Sequence, residues 1–383
     1  MPHRDAKLNA GASPAEFSDD KAAARNAGVP RTVTLADVAA AAGVSPATAS
    51  RVLAGRGGAR SETADRVQAA AEALEYRPSG LARSLRVSSS RTIGIIVTDI
   101  ENPFYSRLVH AVETVAEAEG YAALLCNANY DVARVRDFMN LLEERRVDGV
   151  VISVAKLDIK SSPWLAAHRV PIVLVDSPST GLRAPGISSD NRLGGRLAID
   201  HLLELGHRRI GHIMPPRTIL AARERLAGAN DGMRWAGHAG GLSVVEIGRY
   251  DMAAGTKAMA TLLRRHPDVT AVFAYNDLMA IGAMDAIHRS AMSIPADISV
   301  VGFDDIPNAA YCNPPLTTVR QSVEVMGRWA FRELRNEIAL RSEETAGRAD
   351  GPDVDRSQFT KTPVELQVRE STAAPRNAAT PRQ

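Results

Sequence analysis

Apolar residues between positions 34 and 76 recur at helical spacing in three short bursts. Leu35, Val38, Ala39 and Ala42 fall at i, i+3, i+4 and i+7, one face of a helix. Thr34 and Asp37 fit a capping box in which a short acid stands in for the usual glutamate. Gly43-Val44-Ser45 interrupts the period. Ser45 then suits an N-cap and Pro46 the first helical position, so a second helix is expected from Pro46 to about Leu53, before Gly55, Gly57 and Gly58. Ser61 caps a third, with Val67, Ala71 and Leu74 on one face until Tyr76-Arg77-Pro78 stops it. Two short helices joined by a tight turn, then a supporting third, make the helix-turn-helix plan.

From Arg91 the period changes. Short β-branched runs at 92–97, 122–126, 149–153, 172–175, 210–213, 244–246, 272–274 and 300–303 alternate with amphipathic stretches such as 106–119, 190–205, 252–265 and 277–289. This alternation predicts βαβ units and a mainly parallel sheet. The strands are too many for one comfortable sheet, so two α/β lobes are expected. In such sheets ligands bind at the carboxyl ends of the strands.

The chain has 383 residues and a hydrophobic fraction of 45%, enough for two or three domains with sizeable cores. Its apolar runs are strand-length, short of the roughly 18 residues of a membrane span. Residues 1–31 are polar and mixed in charge and lack the apolar core of a signal peptide. They are expected to be a disordered extension, and the cytoplasm the address. Cys126 and Cys312 stand alone, which argues against a disulfide framework or a structural zinc site. Net charge is only +2, yet positions 31–91 hold nine arginines, no lysine and five acids. A basic helical module on a mildly acidic body suggests that nucleic acid meets the module.

The second helix sorts its residues accordingly. Ala49, Val52 and Leu53 can face the core, with Pro46, Ala47, Ser50 and Arg51 opposite. Its amino end can receive a phosphate, Arg51 can reach a guanine edge, and Ala47 a thymine methyl. The stretch PSGLARSLRV, at 78–87, has helical spacing but only about two turns, too short to be stable alone.

In the body, the residues just after each strand form a polar and aromatic set. They are Thr98 through Tyr105, Asp190-Asn191, Arg223 and Arg225, Tyr250-Asp251, Asn276-Asp277 and Asp304-Asp305. Such a set suits a small ligand with many hydroxyls. The chain carries no GxSxG, P-loop or HExxH motif. His201, His207 and His212 do not share a helical face and are read as structural, so neither metal nor cofactor is expected. A binder is therefore expected rather than an enzyme. A solute-binding protein without a DNA role is the alternative.

TLADVAAAAGVSPATASRVLAG, continued by TADRVQAAAEALEYRPSGLARSLRV, resembles the amino-terminal signature of the LacI/GalR family of bacterial repressors. IGIIVTDIENPFYS, NLLEERRVDGVVI, SSDNRLGGRLAIDHLLELGHRRIGHI, NDLMAIGA, ISVVGFDDI and PPLTTVRQ are similar to family landmarks in order, so the resemblance spans about 33–372. It implies a helix-turn-helix head at 32–77, a hinge helix and linker at 78–90, a two-lobed type I periplasmic-binding-protein-like body at 91–371, and a disordered tail at 372–383. The chain would return to the first lobe after about Thr318.

The DNA-contacting set so implied is Thr34, Ser45, Pro46, Ala47, Thr48, Ser50 and Arg51, with Arg83, Leu85 and Arg86 from the hinge. Leu85 stands at the position of the family's minor-groove wedge. Phe104, Tyr105, Arg225, Tyr250, Asn276 and Asp304 fall at effector-contact positions, and Asp190 opens the family's Asp-Asn motif. Ile219 and Ala221 depart from the arginine and threonine of the purine repressor, which favours a sugar or sugar derivative. The partners implied are a pseudo-palindromic double-stranded operator, a small-molecule effector and a second copy of the chain, with no membrane. The end AAPRNAATPRQ holds no leucine heptad, so a dimer rather than a tetramer is expected, released from DNA by its effector.

Overall fold

The computed structural model describes residues 33–53, 60–76, 89–155, 157, 163–177, 182, 184–238, 240, 242–345 and 359–376. The expected extension at 1–31 and the hinge residues Arg83, Leu85 and Arg86 lie outside them. The chain divides into two compact units between Arg83 and Ser84.

The first unit holds α1 (Leu35–Ala41), α2 (Pro46–Leu53) and α3 (Ser61–Ala73). Val38, Ala39, Ala42, Ala49, Val67 and Ala71 form its buried core. Four of these six are alanines, so the helices approach closely around little apolar bulk. Gly43, at φ 64°, ends α1 in the left-handed region while Val44 N–H reaches back to the Ala39 carbonyl at 2.9 Å.

In chain order the second unit runs β1 (Thr92–Val97), α4 (Pro103–Ala118), β2 (Ala122–Asn127), α5 (Val132–Glu144), β3 (Gly149–Ser153), β4 (Ile172–Val175) and β5 (Gly186–Ser189). Then come α6 (Asn191–Glu204), β6 (Ile210–Met214), α7 (Leu220–Trp235), β7 (Leu242–Glu246), α8 (Met252–Arg265), β8 (Ala271–Ala274), α9 (Asp277–Arg289), β9 (Ser299–Asp304) and β10 (Thr317–Gln321). Finally come α10 (Val323–Thr345), β11 (Phe359–Thr362) and β12 (Val364–Gln367). One sheet has the order β11-β5-β4-β3-β1-β2 and the other β12-β10-β9-β8-β6-β7. Every pairing is parallel except β10 with β12. The α/β fold with two mainly parallel lobes is thus observed. In each sheet the strand order reverses beside its first strand, between β1 and β3 and between β6 and β8. In open parallel sheets the ligand crevice opens at such switch points.

The polar strands β5, β10, β11 and β12 escaped the pattern because GISS, TTVRQ, FTKT and VELQ lack an apolar run. The chain returns to the first lobe after about Thr318, as expected, once β10 has paired with β9 through Arg320. It crosses at Ser322, where α10 begins and packs on α4, β3 and β4, and crosses again at Pro363 between β11 and β12. The tail expected to be free from 372 is held at its start. Thr372 Oγ1 meets His201 Nε2 at 2.9 Å, Ala373 N–H donates to Ser299 Oγ at 3.0 Å, and Arg376 pairs with Asp297 at 2.6 Å. Those contacts are long-range, so no periodicity announces them. Among the described residues no helix is long and apolar enough to cross a membrane.

Candidate functional site

In the head, α2 presents one face outward. Ala49 is fully buried and Val52 and Leu53 pack beside it, while Pro46, Ala47 and Arg51 are exposed. Ser45 closes the amino end: its carbonyl accepts from Thr48 and Ala49, and its Oγ accepts from Thr48 N–H at 3.2 Å. The Ser45 and Thr48 hydroxyls lie 2.9 Å apart, so each occupies the other. Ser50 is half-buried. Thr34 forms the full capping box, its hydroxyl donating to Asp37 Oδ2 at 2.7 Å and its N–H to the same oxygen at 2.8 Å. The exposed set is therefore Pro46, Ala47 and Arg51, with Ser45 and Thr34 at helix starts.

In the body, the carboxyl ends of the strands converge between the lobes. After β1, Thr98 N–H donates to the Ser153 carbonyl at 3.0 Å, tying two strand ends together. Asn102 caps α4 by accepting from Phe104 N–H, which fixes Phe104 and Tyr105 at the first turn. Their rings meet edge to face at 5.1 Å, both nearly buried. Tyr130, from the loop after β2, packs on Tyr250 of the other lobe at 4.7 Å, and Tyr250 on Tyr275 at 5.6 Å. Burial pushes the phenols of Tyr105, Tyr130, Tyr250 and Tyr275 upward, which keeps them neutral donors.

Arg225 is the centre of this region. It comes from α7, which packs on α6 so closely that a Cβ on Gly195 would run into the Arg225 carbonyl. Its side chain is 2% exposed. Nε donates to Asn191 Oδ1 at 2.8 Å and Nη1 to the Tyr275 carbonyl at 2.5 Å. The guanidinium lies 3.5 Å from the Phe303 ring centroid and 3.8 Å from Asp304 Oδ1. A buried charge needs such pairing to be tolerated. Burial raises Asp304 to about 7, although Arg225 and Gln321 pull it down. Burial likewise raises Asp176, just after β4, to about 6, against the pull of Arg225 and Asn191.

Phe104, Tyr105, Arg225, Tyr250, Asn276 and Asp304 are thus buried in the same unit, and the network joins Arg225 to Asp304 and Asn276 to the backbone of Tyr250. Two of the expected contacts also serve as helix caps. Asn276 accepts from Met279 N–H at 2.9 Å and donates to the Tyr250 carbonyl at 3.0 Å. Asp190 accepts from Leu193 N–H at 3.0 Å, and its neighbour Asn191 makes the bond to Arg225.

Sequence reasoning missed Tyr130, Ser153, Asp176, Tyr275 and Gln321. Ser153 and Gln321 are the last residues of β3 and β10, and Asp176 and Tyr275 follow β4 and β8 directly. Reading every strand end, including the polar β10, would have found four of them. Gln321 Nε2 donates to Asp304 Oδ1 at 2.6 Å. Tyr130 OH, Ser153 Oγ, Asp176 Oδ1 and Gln321 Oε1 are buried yet have no hydrogen-bond partner among the described residues. The histidines are held structurally: His201 by Thr372, His207 by Thr270 and Ser299, and His212 by the Phe273 carbonyl. Burial drops His212 to about 4, so it is neutral. No group of three or more His, Cys, Asp or Glu among the described residues is arranged to hold a metal ion.

Residues 34–79 match the family model for bacterial regulatory proteins of the lacI family, and residues 199–372 match the periplasmic binding protein-like domain. The chain is 34% identical to the ribose operon repressor of Halalkalibacterium halodurans, over 90% of this chain and 98% of that protein. It is 35% identical to the HTH-type transcriptional repressor PurR of Mannheimia succiniciproducens, over 80% of this chain and 92% of that protein. Its fold is similar to a crystal structure of the lac repressor dimer bound to operator and the anti-inducer ONPF. The TM-score is 0.76 at 28% identity, covering 90% of this chain and all of that one. The exposed face of α2, the two-lobed body with its polar cleft and these matches agree: the chain belongs to the lacI family of bacterial regulatory proteins and is a DNA-binding transcriptional regulator.

Proposed function

We propose that the protein is a cytoplasmic, non-catalytic repressor, dimeric on a pseudo-palindromic operator, and that a sugar or sugar derivative releases it. The observation that carries the ligand class is the placement of four of the five unpartnered buried side-chain atoms among the described residues. Tyr130 OH, Ser153 Oγ, Asp176 Oδ1 and Gln321 Oε1 lie at or just beyond the carboxyl ends of first- or second-lobe strands, while the fifth, His212 Nε2, sits within β6. A buried polar atom without a partner costs about 1–3 kcal/mol. A polyhydroxyl ligand relieves several such costs at once, donating to Asp176 and Gln321 and bonding Tyr130 and Ser153. The aromatic walls Phe104, Tyr105, Tyr250 and Tyr275 supply faces for a sugar ring.

In this reading Arg225 and Asp304 orient ligand hydroxyls, Asn276 and Tyr250 border them, and Asp190 acts through the helix it caps. On DNA, Arg51 and Ala47 read bases, with Pro46, Ser45, Thr48, Ser50 and Thr34 around the backbone, and Arg83 and Arg86 meet phosphates while Leu85 wedges the minor groove. The operator-bound dimer described for the lac repressor supports this assembly for a chain with the same head and body. A closed or open cleft biases operator affinity only as far as the ligand prefers one state.

The test is a thermal-shift screen of the intact chain against sugars, sugar acids, nucleobases and nucleosides, followed by operator binding with and without the hit at low and raised salt. A sugar that stabilises the protein and weakens operator binding is the expected result. A nucleobase as the only hit would overturn the sugar assignment, and the absence of any DNA binding would overturn the regulator.

A further inference from the structure

Around Asp305, the residue that follows Asp304, lies a recess of about 340 Å³, lined by Arg107, Arg320, Arg369, Asp305 and Glu324 with Ile306 and Pro307. Arg107 comes from α4 of the first lobe, Arg320 and Arg369 belong to the second, and Glu324 sits in the first turn of α10, where the chain crosses. Three guanidiniums face two carboxylates, so the recess carries an excess of positive charge. Its size is within the usual range for small-molecule sites.

The two acids are not equivalent. Asp305 is 9% exposed and held on both oxygens, by Arg320 Nε and Arg369 Nη2, each at 2.6 Å. Burial works to raise its carboxyl, and those two bonds outweigh it and hold the pKa low. Glu324 is 56% exposed; its carboxylate meets Arg107 Nη2 at 2.7 Å and its own backbone N–H. An exposed pair of this kind is weakly held. Arg320 uses Nε alone among its nitrogens, so its two terminal amino groups have no partner among the described residues. The amino end of the long helix α10 adds its own preference for an anion.

We propose that this recess is a second ligand site, separate from the effector cleft, for a small phosphate-bearing anion. The anion takes the place of the Glu324 carboxylate on Arg107 and accepts from the free terminal nitrogens of Arg320. Glu324 turns out to solvent, while Asp305 stays as the fixed base of the site. Arginine suits this task because its planar fork matches phosphate oxygens and keeps its charge.

The site is joined back to back with the cleft. Asp304 at φ 113° and Asp305 at φ 51° are successive non-glycine residues in the left-handed region, and this turn sends one carboxylate to the cleft and the next to the recess. The neighbouring strand repeats the division: Gln321 bonds Asp304 and Arg320 bonds Asp305. A ligand on either side acts on the same two dipeptides, and Arg107 also holds the Asp305 carbonyl across the lobes at 2.9 Å. Anion and effector should therefore alter each other's affinity by the same factor.

The test is calorimetric titration of the full chain with inorganic pyrophosphate and with inorganic phosphate at constant ionic strength. Saturable binding of one anion per chain is expected. Arg320→Gln should weaken it about tenfold or more, the value of a charge-assisted bond. Glu324→Gln should tighten it several-fold by removing the internal competitor, an outcome that general loss of folding cannot imitate. The proposal is overturned by absence of saturable binding, by affinities equal in wild type and both variants, or by binding lost in Asp176→Asn and unchanged in Arg320→Gln, which would put the anion in the cleft.

Discussion

In the head, the side chains proposed to read DNA stand exposed on one eight-residue helix over a core of six small buried residues. In the body, the polar groups are buried and come from the ends of at least six strands in two lobes. The head can keep its reading residues in water because its ligand arrives as a preformed surface of bases and phosphates. The body must surround a small molecule, so it carries a buried arginine, two carboxylates and several unpartnered atoms into its interior. The head is thus tolerant at its contact residues and sensitive at its core, and the body is sensitive at the contacts themselves.

Arg225→Ala should make that difference largest. It deletes a guanidinium bonded to Asn191 and Tyr275 and leaves Asp176 and Asp304 buried without their cation. Removing one partner of a buried pair costs about 3–5 kcal/mol. Thermal unfolding should show a fall of that order, and effector titration should show no response, with operator binding kept wherever the protein is folded. Arg51→Ala is the matching change in the head. Arg51 is exposed and Val52 beside it packs inward, so stability and effector binding should be unchanged. Operator affinity should fall by about 1–3 kcal/mol, the value of a good base contact, with a smaller loss on unrelated DNA. Equal loss on both would make Arg51 a phosphate contact.

The cleft also makes a pH prediction that the head does not. Burial raises Asp304 to about 7, so the folded protein binds this proton more tightly than the unfolded chain. The sign follows: its contribution to stability is full below the ordinary carboxylate range and is lost as pH rises through about 7. A hydroxyl donated by ligand favours the ionised form. Effector affinity should therefore strengthen as pH rises from about 6 to about 8, by up to about tenfold for one proton released. Calorimetry in two buffers of different ionisation enthalpy measures that proton directly. Asp304→Asn should flatten the dependence, leaving only a weaker rise below pH 7 from Asp176, which burial raises to about 6.

The same contrast governs how much could be read from sequence. The head was legible because its signals are local: Thr34 with Asp37, Ser45 with Pro46, and Ala49 against Arg51 all lie within one or two turns. Helix α2 has the bounds its spacing predicts, Pro46–Leu53. In the body, β1, β3 and β4 were legible as buried β-branched runs. Gln321 was not, because β10 is polar and reveals itself only by pairing with β9 and β12. Tyr130 was missed for a related reason: nothing near it in the chain marks it, and only the strand order brings it towards Tyr250. Asp176, by contrast, directly follows the legible strand β4 and was open to reading. The Asp190-Asn191 pair shows the limit of residue-level reading most finely: the motif was found, yet the bond to Arg225 comes from Asn191 while Asp190 caps α6.

The smallest expected effect asks whether a residue of the head can hold two roles. Thr34 was placed among the DNA contacts, and its hydroxyl is already engaged with Asp37 at 2.7 Å. Losing a cap costs about 1 kcal/mol. Thr34→Ala should therefore speed hydrogen exchange of the first amides of α1 in the intact protein and lower operator affinity only slightly. Thr34→Asp separates cap from contact, since an aspartate still caps but repels a phosphate. If capping is the whole role, Thr34→Asp restores exchange protection and keeps operator affinity near that of the parent. If the hydroxyl also meets the DNA backbone, protection returns while operator affinity falls further than in Thr34→Ala, and the loss shrinks as salt is raised. That second result would show the head reusing a structural bond for recognition, the double role proposed in the body for Asn276, which caps α9.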